Sequence, residues 1–186
     1  MGVRIDHVIY AATDLDATAR RLGFEPRGGG RHEGLGTYNR IVPLGGGYLE
    51  LVGVADPEEA LANPFGRGVL ERCEGLAGWV VEVDDVAAVA SRLGTAVTTI
   101  RRAGLSARLT GVAEAMHEPF LPFFLSRDPG VTDPGADGSL GGITWVEVAG
   151  DPARLRDWLD TSSLPVRVVD GPAALLAVGI GDRVLR

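Results

Sequence analysis

Ile5-Asp6-His7-Val8-Ile9-Tyr10, followed by Asp14-Leu15-Asp16, Leu22-Gly23-Phe24 and then Tyr48-Leu49-Glu50-Leu51, carries the clearest structural pattern in this chain. Val3 to Ala11 alternates well enough to be a strand, with Val3, Ile5, His7 and Ile9 on one face. Asp14 suits a helix cap and Gly23 a helix stop, so Leu15 to Leu22 reads as a helix. Thr37 to Pro43 and Gly47 to Val54 read as strands separated by Gly45-Gly46-Gly47. The first strand carries a histidine and the last a glutamate, each inside an apolar run. Desolvating such groups unpaired costs several kcal/mol. His7 and Glu50 are therefore paired with each other or are ligands for something else.

The pattern recurs. Gly78-Trp79-Val80-Val81-Glu82-Val83 reads as a strand, Asp84-Asp85 as the cap of a helix over Val86 to Leu93, and Gly94 as its stop. Strands are expected at Ala96 to Arg101, Ser106 to Val112 and Leu121 to Ser126. A weaker third copy has a strand at Ile143 to Val148 and a helix over Ala153 to Leu159 opened by Asp151-Pro152. Its strands follow at Val166 to Val169, Ala174 to Ile180 and Arg183 to Leu185. A period of roughly 70 residues is too long for a solenoid and suits duplicated supersecondary units. Gly/Pro-rich links are read over residues 56–68 and 128–142, the second as a flexible exposed loop. The expected organisation is one domain over residues 1–186, with unit one at 1–55, unit two at 76–127 and a C-terminal third unit at 142–186.

The chain has 186 residues and a formal net charge of −7. All 18 of its basic residues are arginine, which excludes lysine Schiff-base and lysine general-base chemistry. An acidic chain without a basic cluster argues against nucleic acid as a partner. No apolar run approaches the ~18 residues that span a bilayer, and the start of the chain lacks a signal-peptide pattern. One cysteine, Cys73, leaves no intrachain disulfide, in keeping with a reducing compartment, so a cytoplasmic location is expected. Cys73 sits beside Glu71 and Glu74, which discourage a reactive thiolate.

Tandem strand–helix–strand–strand–strand units resemble the vicinal oxygen chelate superfamily, and within it the glyoxalase-like domain group. Ile5-Asp6-His7-Val8 with Asp14-Leu15-Asp16 looks like that group's opening strand and helix cap. Gly29-Gly30-Arg31-His32 with Gly36-Thr37-Tyr38-Asn39 looks like its glycine-rich loop and second strand. Tyr48-Leu49-Glu50-Leu51 looks like its metal-bearing strand, and Leu121-Pro122-Phe123-Phe124 like the last strand of the second unit. The resemblance implies an α+β fold in which paired βαβββ units curve into an open barrel, here with a third related C-terminal unit. It implies a divalent metal ion held by inward residues of first and last strands, with open positions for a small molecule bearing adjacent oxygens. Relatives of this kind include isomerases, lyases, dioxygenases and bleomycin-resistance-type proteins that sequester a drug.

Carried over residue by residue, the resemblance makes His7 and Glu50 the metal ligands of unit one. Unit two aligns Gly78 with His7 and Leu125 or Ser126 with Glu50, neither pair offering a strong ligand. In the third unit Trp145 aligns with His7. His32 or His117 could complete a two-histidine, one-carboxylate set, and Glu50 or His32 could act as acid or base. Arg31, His32, Thr37 and Asn39 are candidate substrate contacts, read otherwise as ordinary loop polarity. Trp79 and Phe124 are core or cavity wall. Gly28-Gly29-Gly30 lacks the Lys-Ser/Thr of a phosphate loop. Two functions stay open: metal-assisted chemistry on a small oxygenated molecule, or metal-free binding in the same cavity. The third unit either packs on the barrel or pairs across a homodimer.

Overall fold

The computed structural model describes residues 3–102, 105–160 and 163–186, so readings of Met1 and Gly2 lie outside the described residues. Strand β1 (Arg4–Ala11) leads into helix α1 (Leu15–Leu22) and strands β2 (Arg27–His32), β3 (Thr37–Pro43) and β4 (Tyr48–Val54). Helices α2 (Pro57–Leu61) and α3 (Pro64–Arg72) follow. Next come β5 (Gly75–Glu82), α4 (Val86–Leu93), β6 (Val97–Arg102), β7 (Leu105–Thr110), α5 (Val112–His117) and β8 (Phe123–Arg127). The last part is β9 (Ile143–Ala149), α6 (Pro152–Leu159), β10 (Val166–Val169), β11 (Ala174–Ile180) and β12 (Arg183–Leu185).

The helix signals work locally as the sequence suggests. Asp14 accepts from the Ala17 N–H at 2.9 Å, and Gly23 closes α1 in the left-handed region at φ 71°. Asp85 and Gly94 do the same for α4, and Asp151 caps α6 with Pro152 in its first turn.

Units one and two share an eight-stranded sheet of order β2-β3-β4-β1-β5-β8-β7-β6. In each unit the first strand runs parallel to the last, β1 beside β4 and β5 beside β8. The units join where β1 meets β5 antiparallel. The result is an α+β fold in which tandem βαβββ units form a curled half-barrel. The third unit repeats the element order but not the pairing. Its separate sheet has the order β10-β9-β11-β12, with β9 parallel to β10 and antiparallel to β11.

Strand periodicity gives the large sheet two faces with different coverings. On one face Val8, Leu49, Trp79 and Phe124 join α1, α6 and the second sheet in a single apolar cluster. The third unit thus packs on the sheet of its own chain. On the other face Ile9, Val52, Val80 and Phe123 meet Phe65 and Val69 of α3 and Ala115 of α5. The functional candidates lie on this second face.

Four local expectations are corrected. The link over 56–68 is largely helical: Asp56 and Asn63 cap α2 and α3, each with proline in the first turn. The glycine-rich stretch ending at His32 is edge strand β2. The strand expected through Val112 stops at Thr110, and α5 follows. The segment 128–142 has no regular structure, yet its backbone is tied to the β3–β4 turn. Gly45 N–H donates to Gly135 O at 2.9 Å, and Leu140 and Gly142 donate to Leu44 O. A Cβ on Gly135 would lie 2.0 Å from Gly47 O and one on Gly138 2.2 Å from Gly45 N. Those glycines serve close backbone approach rather than mobility.

Candidate functional site

β1 and β4 run parallel, with His7 opposite Tyr48 and Ile9 opposite Glu50. That register places the His7 and Glu50 side chains on one face within reach of each other: Nε2 of His7 is 3.5 Å from Oε2 of Glu50. The β2–β3 hairpin sets His32 opposite Thr37 and brings the His32 Nε2 to 3.4 Å from the other oxygen, Oε1. Two imidazoles therefore flank one carboxylate. Asn39, buried on β3, donates its amide to Oε1 of Glu50, and its own carbonyl oxygen accepts from Gly30 N–H at 2.9 Å.

Both imidazoles are held from behind. The Thr37 hydroxyl meets Nδ1 of His32 at 2.8 Å. Oδ2 of Asp6 meets Nδ1 of His7 at 2.7 Å. An ionised carboxylate only accepts, so His7 carries a hydrogen on Nδ1 and donates it to Asp6. Asp6 is fully buried and Arg127 grips both its oxygens, Nη1 at 2.7 Å and Nη2 at 2.8 Å. Arg127 also reaches Glu82 at 2.8 Å, which Arg4 meets at 2.5 Å. Such two-pronged, charge-assisted contacts are among the stronger ones proteins make.

The electrostatics follow from these contacts. Burial pushes the Glu50 carboxyl up, but the hydrogen bond and charge of His32, the charge of His7 and the Asn39 amide outweigh it and bring the group down to about 2. Burial likewise pushes Asp6 up, and the hydrogen bond and charge of His7 and then of Arg127 hold it well below the usual carboxylate range. Aromatic rings close the surroundings. Tyr48 stacks on His7 with centroids 4.4 Å apart, Phe65 meets His32 edge-on, and Phe123 meets both His7 and Phe65 edge-on. His7 and Glu50 retain 5% and 6% of their exposure, so α3 and its Phe65 seal the site from solvent.

The structure gathers His7, His32, Thr37, Asn39 and Glu50, and it separates the other candidates. Trp79 and Phe124 lie in the cluster on the opposite face, where the Trp79 Nε1–H donates to Phe120 O at 3.2 Å. They are core, not walls of this site. Arg31 is exposed and its guanidinium pairs with Glu59 of α2 at 2.8 Å. His117 is exposed at the end of α5, and Trp145 lies under the Arg167 guanidinium in the third unit. Sequence reading missed Asp6, Tyr48, Phe65, Phe123 and Arg127. Only Asp6, a second polar residue in an apolar strand, carried a visible signal.

The second half of the site is apolar. Val80 precedes the Asp85 cap as Ile9 precedes Asp14, and it pairs with Phe123 as Ile9 pairs with Glu50. Phe123, not Leu125 or Ser126, is thus the counterpart of Glu50. Gly78, the counterpart of His7, faces the Met116 methyl, which would lie 3.1 Å from an added Cβ. Among the described residues no group of three or more His, Cys, Asp or Glu side chains is arranged to hold a metal ion. The donor chemistry of unit one nevertheless suits a divalent cation: imidazole Nε2 and carboxylate oxygens face each other, and each Nδ1 is already engaged by an oxygen.

Two edge-joined βαβββ units with polar side chains on the inner strands define a protein of the vicinal oxygen chelate superfamily. The chain belongs to the glyoxalase-like domain family, whose model matches residues 5–162. No curated protein matches it in sequence. Among solved structures, a hypothetical protein from Staphylococcus aureus is 16% identical with a TM-score of 0.74, covering 99% of this chain and 98% of that one. The alignment therefore takes in the third unit. A methylmalonyl-CoA epimerase in complex with methylmalonyl-CoA is 23% identical with a TM-score of 0.54, over 72% of this chain and 100% of that one. A Streptomyces coelicolor methylmalonyl-CoA epimerase variant in complex with 2-nitronate-propionyl-CoA is 23% identical with a TM-score of 0.53, over 69% and 96%. Among the described residues no helix is long and apolar enough to cross a membrane.

Proposed function

We propose that the chain binds a small oxygenated molecule at the His7–Glu50–His32 cluster and abstracts a proton beside its carbonyl group. The observation that carries this reading is the convergence of two imidazole Nε2 atoms on the two oxygens of one buried carboxylate. His7 Nε2 and Glu50 would hold a divalent cation, and a bound cation supplies Lewis-acid polarisation of the carbonyl oxygen. His32, as the neutral imidazole with its hydrogen on Nδ1 toward Thr37, takes the proton on Nε2. It stands on an edge strand, with its Nδ1 fixed by Thr37, and its side chain keeps 12% of its exposure. Asn39 orients Glu50 from the side, while Tyr48, Phe65 and Phe123 keep water out. The epimerase neighbours, which share the fold, suggest a thioester such as methylmalonyl-CoA as one member of a test panel.

The experiment is deuterium wash-in followed by proton NMR in D2O, with methylmalonyl-CoA and simple 2-hydroxy and 2-oxo acids, with and without added Mn2+, Co2+ or Zn2+. Exchange at the carbon beside a carbonyl is expected for one panel member. His32→Ala is expected to slow it by at least the hundredfold typical of a general base. Exchange with none of the panel, or exchange unaffected by His32→Ala, overturns the proton-abstraction reading.

One observation favours a second reading, a metal-free binding protein: Gly78 and Phe123 bring no donor from unit two. Retention of a small molecule by metal-stripped protein, with no metal taken up on reloading, supports it. The loss of Trp79 and Phe124 from the site removes the aromatic walls that this reading expected.

A further inference from the structure

The Asp6–Arg127 pair lies behind the site and meets the cluster at His7. Asp6 has no exposure, and Arg127 keeps 6% of its side-chain exposure. A bulge between Ile5 and His7 interrupts the β1–β5 register at Asp6, so neighbouring residues can both serve the site end of the strand. Arg127 enters from β8 of unit two, three strands of the same sheet meeting here. Its Nη1 and Nη2 are both spent on carboxylates, while its Nε is buried and unpartnered among the described residues. A buried ion pair of this kind is poor value as a stabiliser, because desolvation offsets most of its Coulomb gain. The geometry it imposes is specific: a carboxylate fixed at both oxygens, presenting Oδ2 to Nδ1 of His7 at 2.7 Å.

We infer that Asp6, clamped by Arg127, is a positioning residue that fixes the His7 ring with its hydrogen on Nδ1, so that Nε2 is the atom offered to a cation beside Glu50. Unit two, whose own strands bring Gly78 and Phe123 instead of ligands, thus contributes to the site through Arg127. This inference rests on the reading of His7 and Glu50 as cation-holding residues. In Asp6→Asn the amide of the new side chain can turn its NH2 toward Nδ1, which favours the opposite tautomer and places the hydrogen on Nε2. Arg127→Lys keeps a charge but loses the two-pronged grip, so Asp6 and the ring behind it gain freedom.

The test uses Zn2+ as the probe, with affinity measured by competition against a chromophoric chelator, and 15N-edited NMR of the imidazole N–H groups. In the unmodified protein a slowly exchanging, downfield Nδ1–H of His7 is expected, identified by its loss in His7→Ala. Asp6→Asn is expected to remove that signal and to weaken Zn2+ binding ten- to a hundredfold, the usual effect of removing the group behind a ligating histidine. Arg127→Lys is expected to weaken binding less and to speed exchange of the same proton. Zn2+ affinity unchanged in Asp6→Asn, with His7→Ala still abolishing binding, overturns the positioning role and leaves the cation site standing. Binding insensitive to His7→Ala overturns the site itself. If Asp6→Asn does not fold, the unmodified protein still decides: absence of a protected Nδ1–H assigned to His7 refutes the inference.

Discussion

Glu50 is an acceptor-only carboxylate buried among two imidazoles and an amide, and its pH behaviour follows from that setting. Its folded-state pKa of about 2 lies below the ordinary 4.5. Its contribution to stability is therefore complete above about pH 5 and is lost as pH falls toward 2, on the order of 3 kcal/mol in all. Glu50→Gln is expected to flatten the stability profile over that window in urea melts taken at successive pH values; an unchanged slope would show that other carboxylates set it. His7 and Glu50 were legible in the sequence because polar side chains interrupt apolar strands. Arg127 was not, because its partner Asp6 lies 121 residues away and nothing local marks the pairing. Phe123 was misassigned for a different reason. Leu125 shares its face, so a shift of two along the strand preserves the inward pattern while changing the counterpart of Glu50.

The capped helices of units one and two could be read because their signals are local: Asp14 and Gly23, Asp85 and Gly94. The β5–β8 pairing and the closing of the site by α3 depend on contacts between distant segments. The α2–α3 segment was read as a link because Gly and Pro are frequent in it, yet Asn63 and Pro64 are good helix starters. Helix α3 buries Phe65, Gly66 and Val69. Phe65 is the anchor of this helix on the site face, so its removal tests whether α3 can open apart from the sheet. Phe65→Ala is expected to speed amide hydrogen exchange across residues 57–72 at least tenfold while leaving β1 and β4 protected. Equal acceleration in β1 and β4 would show instead that α3 opens only with global unfolding.

The whole molecule places the polar cluster and the third unit on opposite faces of one curled sheet. The third unit, with α1 and α6, covers the face that holds Trp79 and Phe124, and the polar cluster occupies the other. Duplication supplied two equivalent strand pairs, but only unit one brings donors to the centre; unit two offers Phe123 and the Met116-filled space at Gly78. On the proposed reading, this half-site holds a divalent cation between His7 and Glu50. Anomalous diffraction from crystals grown with Zn2+ or Mn2+, collected above and below the metal edge, shows whether the ion is there. A single strong peak bonded to Nε2 of His7 and to a Glu50 oxygen is expected, absent from crystals of His7→Ala. No peak at that position, with the protein saturated in metal and intact, would contradict it.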